Sequence, residues 1–227
     1  MARMNVLIVH AHPEPRSFTS ALKDAAAGEL RSLGHDVRVT DLYAMGFEPR
    51  VTRADFLEAA DADYFKPQRE QLNASERDGF APDVKAQLDD LEWSELVIFT
   101  FPLWWFSLPA ILKGWVDRVF VMGRVYGGGK VHETGGMRGR RALLCFTTGG
   151  PGVSYSNRGR NGDLAALLSH VQWGMLHFAG FAVLAPFVVW GPARADARDL
   201  EATLTVWRER LRAIEHEAPV PIGPVEA

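Results

Sequence analysis

The sequence predicts an α/β fold built on a parallel sheet, and three observations point to it. Short apolar runs rich in Val, Ile and Phe alternate with longer segments of helical period, the pattern of βαβ units. The chain has 227 residues, 47% apolar and 23% charged, which is enough for one α/β domain with a full core and sits in the ordinary globular range. The third observation is negative: no stretch approaches the roughly 18 uninterrupted apolar residues of a membrane span. One domain over 1–227 is expected.

Taken in order, "NVLIVHAH" reads as the first strand. "SFTSALKDAAAGELRSLG" follows as a helix, with Phe18, Leu22, Ala25, Leu30 and Leu33 at three-to-four spacing, Ser17 as N-cap and Gly34 as terminator. "DVRVTDL" is a second strand, "APDVKAQLDDLEW" a helix, "ELVIFTF" a third strand and "LPAILKGWVDRVFV" a helix. "RRALLCFTT" is the fourth strand, "GDLAALLSHVQWGMLHFAGF" a long helix, "AVLAPFVVW" the fifth strand and "RDLEATLTVWRERLRAIEHE" the last helix. Residues 43–80 break this rhythm with mixed charge and no clear period, an excursion with room for one short helix. "APVPIGPVEA", from 218, is a Pro-rich tail. Five parallel strands with alternating helices admit a flavodoxin-like three-layer arrangement of order 2-1-3-4-5, whose ligands lie beyond the carboxyl ends of the strands. Those ends are the loops after His12, after Phe101 and after Thr148.

Several functions are excluded. A net charge of −3 offers no basic field for nucleic acid. The N-terminal apolar run is short, is punctuated by His10 and His12, and lacks a small-residue cleavage site, so it reads as a strand in a cytoplasmic protein. The single cysteine, Cys145, sits in the apolar run "ALLCF" and reads as a buried thiol. "GGGK" at 127–130 is not a phosphate loop, because Arg124 replaces its first glycine and Val131 its Ser/Thr. "GVSYS" fails as a nucleophile elbow at Ser156. His10 and His12, or His170 and His177, lack further ligands nearby, and no metal is expected.

What remains is chemistry at the three loops. The turn "HAHPEPRSFTS" has no glycine, which excludes a dinucleotide fingerprint, yet the start of a helix at Ser17 favours an anion, and Thr19 and His12 add donors. Ser17 as a plain helix cap is equally compatible. In "TTGGPGVSYS", Thr147 and Thr148 precede Gly149 and Gly150, where bare backbone would approach a planar ligand; a tight turn after a strand is the plain alternative. Between these loops lies "FPLWWFSLPA", with Trp104, Trp105 and Phe106 on a connection that belongs at the surface. A flat aromatic ligand suits it.

Together "FPLWWFSLPAILKGWVDRVF", "TTGGPGVSYS", "MLHFAGF" and "DLYAMGFEP" resemble the NAD(P)H:quinone oxidoreductase family, over about Asn5 to Leu211. The resemblance implies a flavodoxin-like fold, a homodimer, bound FAD (with FMN as the other flavin) and two-electron hydride transfer from NAD(P)H through flavin to quinones. It implies that His12, Ser17, Phe18 and Thr19 hold the FAD phosphates, and that Arg198 meets the adenosine diphosphate. Pro102, Leu103, Trp104, Trp105 and Phe106 would wrap the isoalloxazine, with Thr147, Thr148, Gly149, Gly150 and Tyr155 at its edge. Tyr155, Asn161, Gly149 and Gly150 would be catalytic. The family's "GIHGD"-like stretch reads "GRNGD" here, so Asn161 stands at a histidine position and cannot relay a proton near neutral pH. Trp105, Phe106, Tyr126, Gly128 and Asn161 would bind the acceptor, Gly128 replacing a second tyrosine of some relatives and widening the entrance. The same resemblance leaves room for an azo-dye or nitroaromatic reductase, or a regulatory flavoprotein subunit on a potassium-efflux transporter.

Overall fold

Strand β3 (Leu96–Pro102) is buried at every residue, the behaviour of a strand covered on both faces, and it sits at the centre of a parallel sheet. The computed structural model describes residues 3–221. Its strands are β1 (Asn5–His10), β2 (Asp36–Asp41), β3, β4 (Arg141–Thr148), β5 (Ala182–Val183) and β6 (Phe187–Trp190). The order is β2-β1-β3-β4-β5, as the sequence predicts, with β6 also paired to β4. Helices α1 (Phe18–Ser32), α2 (Pro67–Arg77), α3 (Pro82–Trp93), α4 (Ala110–Val119), α5 (Leu164–Val171) and α6 (Ala197–Arg212) flank it.

Alternation along β1 builds both halves of the core. Val6 and Ile8 point to the face covered by α1 and α6, packing with Leu22, Leu30 and Trp207. Leu7 and Val9 point to the opposite face, with Leu88, Trp115 and Leu176. Cys145 is fully buried among the first group, where burial pushes its thiol pKa up and keeps it protonated.

Two expectations need correction, and the excursion gains detail. The single fifth strand is two short ones, because Pro186 carries no N–H for the ladder; both halves still pair with β4, through Arg141↔Ala182 and Cys145↔Phe187. The long helix over 162–181 begins at Leu164, after Asp163 caps the Ala166 N–H at 3.1 Å, and passes at Gln172–His177 into a wider π-helical turn. A hydrophobic period cannot reveal such a widening. The excursion at 43–80 contains α2 and is firmly docked. Buried Arg118 of α4 reaches Asp55 at 2.9 Å, Asp83 at 2.7 Å and the Glu48 carbonyl at 2.8 Å. Gly114 lets α4 come so close that an added Cβ would stand 2.3 Å from the Pro49 carbonyl oxygen.

After α6 the chain returns to the sheet, where the Val220 N–H donates to the Val183 carbonyl at 2.8 Å. The remainder of the expected Pro-rich tail, 222–227, lies outside the described residues. Among the described residues no helix is long and apolar enough to cross a membrane.

Candidate functional site at the carboxyl edge of the sheet

The three loops named from the sequence converge. Helix α1 starts beside the end of β4, where the Thr19 and Thr147 hydroxyls lie 2.9 Å apart. The His12 and Trp104 rings approach to 6.5 Å, Phe106 and Tyr155 to 6.3 Å. A Cβ on Gly150 would touch the Tyr155 ring at 3.4 Å and the Asn161 amide nitrogen at 3.7 Å. Tyr155, Asn161 and the glycine turn are therefore neighbours.

At the first loop Ser17 caps α1, its hydroxyl accepting from the Ser20 N–H at 3.1 Å. The plain capping reading is thus satisfied, while the Phe18 and Thr19 N–H groups take no partner among the described residues. No acidic residue occupies this first turn, so the helix dipole is free to favour an anion. His12 Nδ1 lies 3.0 Å from the Glu14 N–H and 3.2 Å from the Glu14 carbonyl; when it accepts from the N–H, the neutral ring carries its proton on Nε2. Burial lowers its pKa, against the pull of Glu14.

The aromatic loop is a two-residue hairpin. Trp104 and Ser107 exchange backbone hydrogen bonds at 3.2 and 3.0 Å, and Trp105 and Phe106 between them have φ of 50° and 60°. Left-handed backbone at two successive non-glycine residues is strained. Two ties hold it: the Leu103 N–H donates to the Thr147 carbonyl at 2.8 Å, and Ser107 Oγ lies 2.9 Å from His170 Nε2. The Trp105 side chain projects outward, with the residue 94% exposed. Pro102 and Leu103, expected to wrap a ligand, have buried side chains.

The third loop leaves open space, since a Cβ on Gly149 would meet nothing within 4 Å. Thr148 Oγ1 donates to the Gly150 carbonyl at 2.8 Å and fixes the turn. Two further residues join the site here. Trp190 ends β6 beside Thr148, packs against Tyr155 with ring centroids 5.3 Å apart and planes tilted by 39°, and underlies Gly152 so closely that a Cβ there would meet the indole at 3.1 Å. Arg194 donates to the Gly149 carbonyl. The available signal for Trp190 was its place at the carboxyl end of a strand; Arg194 carried none.

Three expected residues stand apart. Arg198 lies exposed in the first turn of α6 and makes no hydrogen bond or ion pair among the described residues, whereas Arg194 reaches the loops. Tyr126 donates to Gln71 at 3.3 Å, packs on Phe178 at 6.2 Å and borders a cavity of about 210 Å³. Phe178 is eight residues beyond His170, on the far side of the π-helical turn, and the cavity beside Tyr126 includes no residue of the aromatic hairpin, so within one chain Tyr126 stands apart from it. Gly128 shares Tyr126's segment. Among the described residues, no three His, Cys, Asp or Glu side chains converge to hold a metal.

The sheet order and a ligand edge at its carboxyl ends define a flavodoxin-like protein, and residues 4–211 match the flavodoxin-like fold family. The chain is 42% identical over 222 residues to ribosyldihydronicotinamide dehydrogenase [quinone] of Pongo abelii, covering 97% of this chain and 96% of that one. It is 40% identical over 227 residues to NAD(P)H dehydrogenase [quinone] 1 of Rattus norvegicus, covering 99% and 82%. A crystal structure from Klebsiella pneumoniae, described as a candidate quinone reductase, superposes with a TM-score of 0.93 at 38% identity over 97% of this chain and 88% of that one. The chain belongs to the NAD(P)H:quinone oxidoreductase family.

Proposed function

We propose that this protein is a cytoplasmic, homodimeric, FAD-dependent enzyme that passes reducing equivalents from NAD(P)H to quinones. The observation that carries the reading is the strained, exposed Trp105–Phe106 hairpin set against the open glycine edge at Gly149 and Gly150. The residues fit a flavin: open backbone for a planar ring, aromatic walls beside it, and free N–H groups at α1 for a diphosphate. When bound, the flavin supplies a ring that takes up and returns a hydride.

The chain's own residues bind and orient. The Phe18 and Thr19 N–H groups, with Ser17, Thr19 and His12, receive the phosphates, and Arg198 is the candidate for the adenosine end. Thr147, Thr148, Gly149 and Gly150 line the ring edge, next to Pro102, Leu103 and Trp104. Tyr155, whose hydroxyl takes no partner among the described residues, and the Asn161 amide offer preorganised donors beside Gly150 to charge developing there. Asn161 does not titrate, so it contributes a hydrogen bond without a proton relay. Trp105 and Phe106 stack the acceptor. Tyr126 and Gly128 complete that pocket from a second protomer, which reconciles their acceptor role with their distance within one chain.

The test is an anaerobic titration of the purified protein after its flavin is released and identified. NADPH or NADH bleaches the flavin band and menadione restores it if the reading is right. Ribosyldihydronicotinamide, the reductant in the name of one relative, belongs in the same titration. A flavin that stays oxidised with all three reductants removes the redox function. An Asn161→His variant should introduce a pH dependence near the imidazole range; an unchanged pH–rate profile would show that position 161 does not touch the proton path.

A further inference from the structure

His10, the last residue of β1, is 1% exposed, and a polar ring buried so deeply requires partners at both nitrogens. It has them. Nδ1 lies 2.8 Å from Thr100 Oγ1 on the adjacent strand β3, and Nε2 lies 3.1 Å from Ser20 Oγ in the first turn of α1. Ser20 spends its one hydroxyl proton on the Glu14 carbonyl, at 3.0 Å. It must therefore accept from His10, which places the ring proton on Nε2 and leaves Nδ1 to accept from the Thr100 hydroxyl.

The chain of bonds continues around the turn. The Glu14 carbonyl also receives the Ser17 N–H at 3.1 Å, and the Glu14 N–H is held by His12 at 3.0 Å. Ser17 Oγ and Ser20 Oγ lie 3.0 Å apart. Residues 12–17 contain no glycine and no positive φ. Pro13 and Pro15 restrict the backbone at two points, and the buried imidazole and two serines tie the turn to β1, β3 and α1.

We propose that His10 is the positioning residue of the anion-binding turn: through Ser20 and the Glu14 carbonyl it sets the arrangement of His12 and the start of α1 before a phosphate arrives. The inference rests on the reading of that turn as the diphosphate site. Burial lowers the ring's pKa to about 4, so near neutral pH it keeps both roles, acceptor at Nδ1 and donor at Nε2. A preorganised phosphate site of this kind separates flavins by their phosphates and leaves recognition of the ring to the other two loops.

The experiment compares dissociation constants of apoprotein for FAD and for riboflavin, which has the same ring and ribityl chain without phosphate. His10→Leu should weaken FAD about tenfold and leave riboflavin unchanged. His10→Gln, whose amide offers one acceptor and one donor, should restore most of the loss. Ser20→Ala removes a single oxygen from the same link and reproduces the selective loss even if His10→Leu fails to fold. Equal weakening of both flavins, or an unchanged FAD preference in His10→Leu and Ser20→Ala, overturns the proposal. A parent protein that binds riboflavin as tightly as FAD shows instead that the turn is no phosphate site, which overturns the underlying reading along with the proposal.

Discussion

Two hairpins in this molecule have the same backbone plan and opposite chemistry. Trp104–Ser107 and Gly127–Lys130 each enclose two residues between a reciprocal pair of backbone hydrogen bonds, at 3.2 and 3.0 Å in the first and 3.2 and 3.2 Å in the second. Both central residues have positive φ in each: 50° and 60° at Trp105 and Phe106, 62° and 87° at Gly128 and Gly129. Glycine takes that conformation without penalty, while a residue with a Cβ loses about 1 kcal/mol or more. Trp105 gains little in return by burial, being 94% exposed. Folding stability does not account for tryptophan at that position, whereas the proposed stacking of an acceptor there would.

The largest expected effect comes from making the two turns alike. Replacing Trp105 and Phe106 together by glycine should raise the melting temperature slightly, because the strain is relieved and few buried contacts are lost. Acceptor kcat/KM should fall roughly a thousandfold, corresponding to about 4 kcal/mol of lost stacking and apolar burial. A stabilised protein with unimpaired turnover would mean that the aromatics serve something other than the acceptor.

The His12–Ser17 turn sharpens the contrast by solving its shape with side chains. His10 has its pKa lowered from 6.5 to about 4 by burial, with Asp41 and Asp24 favouring the charged form and Lys23 and His12 opposing it. Between those pH values the unfolded chain binds the extra proton. Stability is therefore intact above pH 6.5 and drops by about 3 kcal/mol as pH falls to 4. Urea titrations across this range should show the slope, and His10→Gln should remove most of it. The glycine hairpin supplies the next smaller effect. Gly128→Ala meets no atom within 4 Å, so its cost is conformational alone, about 1 kcal/mol by chemical denaturation. That figure calibrates the strain in the aromatic turn.

How much of this was legible in the sequence depended on the kind of force involved. Sheet order and the gathering of the three loops at one edge followed from apolar runs such as Leu96–Pro102, where burial and sequence pattern are the same fact. The aromatic loop was legible because Trp104 and Trp105 contradict their setting. The split at Pro186 was readable in principle, since a missing N–H is a local property. The π turn at Gln172–His177 was not, because a one-residue widening leaves the hydrophobic period almost unchanged, and the docking of the excursion by Arg118 was not, because Asp55 and Asp83 are distant from it in sequence. The same holds for His10: the sequence shows an H-x-H, and only the fold reveals that Thr100 and Ser20 take its two nitrogens.

The smallest effect tests whether the strained turn is held from outside. Ser107 Oγ and His170 Nε2 meet at 2.9 Å on an exposed surface, where a hydrogen bond contributes about 0.5 kcal/mol. Ser107→Ala should thus barely alter global stability. If His170 keeps Trp105 and Phe106 in place, the same substitution raises acceptor KM about twofold and leaves kcat unchanged. Because glycine needs no such restraint, Ser107→Ala should have no further effect on KM in the Trp105→Gly, Phe106→Gly background. Equal effects in both backgrounds would be additive, and additivity would mean that the contact and the strain are independent. Non-additivity would tie the exposed histidine to the aromatic turn, through a residue that touches no ligand.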